Sequence, residues 1–206
     1  FPLRRQRQMC IRDRNFDYSQ SRVTSFGFTL DHRFNDVWSI RNAFRHYNYS
    51  LDRNNTLVGS VNEAAQTVSL TRSNVRREED GYFNQTELTQ KTTLAGMSHQ
   101  LLYGVELSKQ NKDQFFRSQS AGTTNLFNPV NPVVPFNVTA APSTDNLGIL
   151  TVASVYMQDM ITLSDKWKAL AGIRYDSFEQ ETRQRIAGQA NLNRTDKAWS
   201  PRAGLV

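Results

Sequence analysis

Alternation of apolar and polar residues is the dominant pattern in this chain. From Ser25 to Phe34 the apolar Phe26, Phe28, Leu30 and Phe34 alternate with Ser25, Gly27, Thr29, Asp31 and Arg33. A period of two puts successive side chains on opposite faces of a strand. Asn35 and Asp36 predict a short turn, after which Trp38, Ile40 and Phe44 oppose Ser39, Arg41 and Arg45. Past Tyr47 and Tyr49 the pattern dissolves into a polar run, Asp52 to Gln66, which predicts a loop. A ragged strand follows from Val68 and Leu70, through the charged knot Arg76, Arg77, Glu78, Glu79 and Asp80, to Leu88 and Leu94. The knot reads as solvated charge paired with itself, since neighbouring Arg and Glu pair in water. A turn at Ala95 to Ser98 leads to a strand over His99 to Gln110, with Leu101, Tyr103, Val105 and Leu107 opposite Gly104, Glu106 and Ser108.

Lys109 to Leu147 predicts the longest irregular stretch, with Pro129, Pro132, Pro135 and Pro142 interleaved among Phe115, Phe116, Phe127 and Phe136. Then Leu150 to Leu163 and Trp167 to Asp176 form two β-patterned arms around the turn Ser164, Asp165, Lys166. In the second arm Trp167, Ala169, Ala171, Ile173 and Tyr175 oppose Lys168, Gly172, Arg174 and Asp176. A polar loop, Glu179 to Lys197, precedes a last strand in AWSPRAGLV, where Pro201 suits a strand's first residues. Short turns alternate with long loops. An up-and-down membrane barrel needs that rhythm, because the two ends of its hairpins face different compartments. The expected architecture is all-β, an antiparallel up-and-down transmembrane β-barrel fragment of about seven strands.

The order of residues adds a family. YMQDMITLSDKWKALAGIRYD, Tyr156 to Asp176, resembles the Y-x-Q-D-x-I-x-L-S-D-x-W hairpin and its G-x-R-Y-D ending in TonB-dependent siderophore receptors. His99, Leu101, Leu102, Gly104 and Glu106 resemble a second strand of that family, and Trp199, Ser200, Pro201, Arg202 and Gly204 resemble its W-S-P-R-x-G strand start. The resemblance implies a plugged barrel of the bacterial outer membrane that imports a ferric siderophore and is energised by the TonB complex. It places the plug and the TonB-contacting segment upstream of residue 15. The short turns then face the periplasm and the long loops face outward. Phe115, Phe116, Phe127 and Phe136 become candidates for ligand contact in outer loops, and Arg41, Arg45, Arg174, Asp176 and Arg202 candidates for the lumen face and plug contact. Trp167 and Tyr175 fall on the lipid side. Met157, Asp159 and Ile161 share that side, and a carboxylate there is costly away from the interface. Either Asp159 lies near the periplasmic rim or the register is off by one.

Composition changes less. A length of 206 residues suits one domain or part of a larger one. The apolar run at Leu205 and Val206 has no stop signal after it, which suggests a strand that continues. The first residues, FPLRRQRQMCIRDR, lack the apolar core of a signal peptide. MCIRDR, Met9 to Arg14, resembles the translation of a sequencing adapter. Residues 1–14 are therefore set apart as a non-native tail, with 15–206 as a partial barrel domain. That tail holds five Arg and one Asp, so the formal charge of +6 falls by four to +2 without it. The remaining cations are interspersed with acids rather than clustered, so nucleic acid is not an expected partner. The one cysteine, Cys10, lies in the tail, which removes disulfides and thiolate chemistry from the rest.

Ile149 to Met157, the longest apolar-rich run, is broken by Thr151 and Ser154 and falls short of a membrane helix. A mean hydropathy of -0.61 does not exclude a barrel, whose strands are polar on one side. No metal site or resident cofactor is expected. His99 stands without a partner at ligand spacing and reads as a polar group at a strand end. No nucleophile motif points to an enzyme. A passive porin, a barrel enzyme and a soluble extracellular β-rich binding domain remain the alternatives.

Overall fold

The computed structural model describes residues 17–130 and 134–206. The 1–14 tail lies outside the described residues. Among the described residues seven strands form one sheet in chain order: β1 (Tyr18–Arg33), β2 (Trp38–Asn62), β3 (Thr67–Leu94), β4 (Met97–Asn125), β5 (Thr144–Ser164), β6 (Trp167–Gln184) and β7 (Leu192–Leu205). Each pairs antiparallel with the next, so the topology is an up-and-down meander.

The short turns have local causes. Asn35 Oδ1 accepts the Val37 and Trp38 N–H groups at 2.9 and 2.8 Å, closing the β1–β2 turn around one side chain. Between β3 and β4 both central residues have positive φ, Ala95 at 52° and Gly96 at 79°. That is the twist-matched geometry of a two-residue hairpin. At β5–β6 the Ser164 Oγ accepts the Lys166 N–H at 3.3 Å, beside a bulge between Thr162 and Ser164.

Partners across an antiparallel ladder share a face, so the registers can be followed across all seven strands. One such row runs Leu30, Asn42, Thr86, Val105, Val155, Tyr175, Trp199. This face is apolar, and its side chains stand open: Phe26 and Trp199 are each 65% exposed. The next row runs Asp31, Arg41, Glu87, Gly104, Tyr156, Arg174, Ser200 and is polar. An apolar face left open beside a charged one suits a wall between lipid and a wet interior. Buried apolar side chains among the described residues are Val68, Leu70, Val75, Ala121 and Val152, and only Val152 lies within the apolar band's height.

The loops are shorter than the sequence suggests. β2 continues to Asn62, β4 to Asn125 and β6 to Gln184, so the connections contract to 63–66, 126–143 and 185–191. A strand of 28 or 29 residues, as in β3 and β4, spans about 95 Å at ~3.4 Å per residue. That is about three times a hydrocarbon core of ~30 Å. The excess lies at the long-loop end, where both faces meet water and alternation carries no penalty for being lost. Phe115 and Phe116 therefore lie in β4 and not in a loop.

Candidate functional site

Arg41, Arg45, Arg174, Asp176 and Arg202 all fall on the polar face, in four consecutive rows. Arg174 and Asp176 are brought together. Arg174 Nε donates to Asp176 Oδ1 at 2.7 Å, and its Nη groups donate to Glu106 Oε2 at 3.1 and 3.2 Å. Ser154 Oγ donates to Asp176 Oδ1 at 2.6 Å and accepts from Arg174 Nη2 at 2.9 Å. Asp176 is 7% exposed and Ser154 2%. A buried carboxylate is tolerated because a guanidinium and a hydroxyl satisfy it.

The network continues across the sheet through Tyr156. Its hydroxyl donates to Glu87 Oε1 at 2.7 Å and accepts from Gln85 Nε2 at 2.8 Å, while Arg174 lies 5.3 Å over its ring. To reach from β5 to β3 the ring crosses Gly104 on β4. A Cβ at Gly104 would fall inside the Tyr156 ring, so glycine is required there by space. Tyr47 does the same over Gly81, where a Cβ would lie 2.7 Å from its Cε1, and its ring stacks at 6.1 Å on Phe83. Five of these groups, Gln85, Glu87, Glu106, Ser154 and Tyr156, are absent from the sequence-based site residues. Alternation alone puts Glu106 and Tyr156 on the polar face. Linking Tyr156 to Glu87, nearly seventy residues away, or Glu106 to Arg174 needs the strand register.

Arg41 approaches only Asp31, at 3.8 Å, and Arg45 has no carboxylate partner among the described residues. Of the aromatic candidates, Phe116 faces the polar side, paired with Val75 and Thr144. Phe115 faces the other side, where Arg117 lies 4.9 Å over its ring and Arg76 5.8 Å. Phe127 stands in the 126–143 connection, 75% exposed, and Phe136 is half-buried there. That connection folds back on the Phe115 side: Arg117 donates to the Val138 carbonyl and Gln119 Nε2 to the Pro135 carbonyl at 2.8 Å.

Asp159 stays on the apolar face, paired with Leu101 and Ala171 near the short turns. The register is as read, which leaves the carboxylate on the apolar face toward the short-turn end. His99 Nδ1 donates to Asp159 Oδ2 at 2.7 Å, with His99 8% exposed. His99 thus serves a carboxylate. No group of three His, Cys, Asp or Glu side chains converges among the described residues.

At the long-loop end Arg185 bridges β4 and β5, donating to Asp113 Oδ1 at 2.8 Å and to Asp145 Oδ1 at 3.0 Å. The hydrogen bond from Arg185 holds the Asp113 carboxyl below the usual carboxylate range, and the two carboxylates raise the Arg185 guanidinium.

The family model "TonB dependent receptor-like, beta-barrel" matches residues 5–206. A ferrichrome outer membrane transporter/phage receptor of Escherichia coli is 28% identical over 202 residues, covering 87% of this chain and 27% of its own. A ferrioxamine receptor of Yersinia enterocolitica is 29% identical over 195 residues, covering 88% and 26%. The chain therefore spans about a quarter of the length of the curated relatives it matches. Among solved structures, a ferric-catecholate import receptor of E. coli superposes with a TM-score of 0.75 at 16% identity, over 93% of this chain and 31% of that one. A siderophore receptor of Acinetobacter baumannii gives 0.75 at 20%, over 92% and 30%. At these identities the structures establish the fold, a fragment of a larger β-barrel.

Proposed function

We propose that this chain, which belongs to the TonB dependent receptor-like β-barrel family, is one wall of an outer-membrane receptor that imports a ferric siderophore. The observation that carries the reading is the two-faced sheet. Its apolar rows suit lipid, its polar rows suit a wet lumen, and its long strands rise beyond the membrane on the side opposite the short turns. In the complete protein a plug domain fills that lumen and the TonB complex supplies energy from the periplasm. The siderophore complex is cargo and not a resident cofactor.

The polar face has a division of labour in this reading. Arg174, Asp176, Glu106, Ser154 and Tyr156 form a rigid, satisfied network at membrane height, a surface against which a folded plug can rest. Arg41, Arg45 and Arg202 lie beside it with free or loosely held guanidinium groups for plug carboxylates or carbonyls. Phe116 is the aromatic candidate on the lumen side, while Phe115 serves to anchor the returning loop through Arg117.

Growth is the direct test. The full-length gene, expressed in a receptor-deleted host under iron limitation, is expected to restore growth on at least one ferric siderophore and only when TonB is intact. Rescue that persists without TonB would favour a passive pore, and absence of rescue by every chelate offered would overturn the reading.

A further inference from the structure

The polar face changes character toward the long-loop end. From the Arg45 row upward, the registers put Arg45, Arg53, Arg77, Lys112 and Arg194 on this face, with Glu79 and Asp196 as its acids. Asp196 is taken up by Arg194 at 2.7 Å. Glu79 is shared, 3.8 Å from Arg77 and 3.6 Å from Lys112. Arg45 and Arg53 are exposed and have no carboxylate partner among the described residues. The face therefore carries an excess of positive charge that its own acids do not neutralise. The opposite face at the same height shows no such excess, since Glu78, Asp80 and Asp113 stand there with Arg22, Arg76 and Arg183.

The same rows carry flat aromatic surface and amides. Tyr47 lies pinned across Gly81 and stacked on Phe83, with its hydroxyl held by Gln110. Tyr49 stands one row higher and Phe116 two rows above that. Over Gly148 a recess of about 590 Å³ opens between Lys112 and Arg194, floored by a residue without a side chain and edged by Gln110, Gln114 and Gln180. Cations, rigid aromatic faces and amide donors together suit a ligand that is anionic and carries flat aryl rings. A wall of one charge sign in a cleft also raises the local concentration of the opposite ion.

We propose that the vestibule wall above the membrane selects an anionic ferric chelate with aryl oxygen donors, such as a tris-catecholate, over the neutral or cationic ferric trihydroxamates. The inference rests on the import reading and narrows it. Arg53 and Arg77, with Arg45 below them, attract the chelate's charge, and Tyr47, Tyr49 and Phe116 meet its rings. The wall needs no metal ligand of its own, because the iron arrives fully coordinated.

The test is binding to the full-length receptor purified in detergent, titrated with a ferric tris-catecholate and with a ferric trihydroxamate. The tris-catecholate is expected to bind more tightly and to lose affinity as salt rises, because exposed charges are screened over ~8 Å at physiological ionic strength. R53Q combined with R77Q is expected to weaken tris-catecholate binding about tenfold, and trihydroxamate binding by less than about twofold. R22Q, on the opposite face, is expected to change neither. Tighter trihydroxamate binding by the unaltered receptor, or salt-independent tris-catecholate binding, overturns the inference while import of a ferric chelate stands. Binding of neither chelate also overturns the inference, and TonB-dependent growth on other ferric chelates then decides the import reading. Because the salt dependence is read on the unaltered receptor, a variant that fails to reach the membrane leaves that arm of the test intact.

Discussion

Two residue pairs carry constraints that substitution can expose. Gly104 leaves the space through which Tyr156 crosses from β5 to Glu87 and Gln85 on β3. Adding a methyl group there forces the ring aside and breaks both hydrogen bonds. Gly104→Ala in the full-length receptor is expected to cost about 1–3 kcal/mol, the range for overpacking a filled site. In a Tyr156→Ala background the same change is expected to cost close to nothing, and equal costs in the two backgrounds would refute the steric account. His99 and Asp159 are coupled differently. With His99 replaced by Leu, Asp159 is left on the apolar face without its hydrogen-bond partner, at a cost of on the order of 3 kcal/mol. Replacing both by Leu is expected to recover most of that loss. Denaturant unfolding of the two variants in the same lipid decides it.

Strands were legible where one face meets lipid and illegible where both meet water. Phe26, Phe28 and Leu30, or Val105 and Leu107, alternate with polar residues because an error of one position would turn charge toward hydrocarbon. At Asp52 to Asn62, Lys109 to Asn125 and Glu179 to Gln184 no such penalty operates, and the sequence looks like loop although the ladder continues. The shared polar face of Arg174 and Asp176 was readable from alternation. Their partnership with Glu106, and that of Tyr156 with Glu87, depends on the pairing of distant strands. The long strand extensions have their own cross-links, and Arg185 at the end of β6 is the clearest. Because the folded Asp113 carboxyl is held below its ordinary value of 3.8, its contribution is fully present above that value. It is lost as pH falls through the lower folded value. Asp113 and Arg185 are 42% and 45% exposed, so the pair contributes at most about 1 kcal/mol. Hydrogen-exchange protection of the β4–β5 extension, taken relative to the intrinsic rate at each pH, is expected to fall only below about pH 4 in the unaltered protein. Asp113→Asn should show the quicker exchange at neutral pH, and a transition near pH 6 would point to some other group.

At the scale of the molecule the orientation follows from which end is short. The turns at 34–37, 95–96 and 165–166 close within two to four residues, whereas the opposite ends carry the strand extensions and the 126–143 connection. In an outer-membrane barrel the short ends face the periplasm and the extensions face the medium. The sequence makes this testable, since its one cysteine, Cys10, lies outside the described residues. In a full-length receptor otherwise free of cysteine, Asn128→Cys and Gly188→Cys are expected to react with a membrane-impermeant maleimide on intact cells. Both positions lie in exposed connections, and Gly188 at φ 82° calls for a check that the variant folds. Asp165→Cys is expected to react only after the outer membrane is permeabilised. Labelling of all three positions on intact cells would place the sheet outside the membrane and favour a soluble extracellular domain. Labelling of position 165 alone would invert the sheet, and with it the assignment of the basic, aromatic rows to the side from which a chelate arrives.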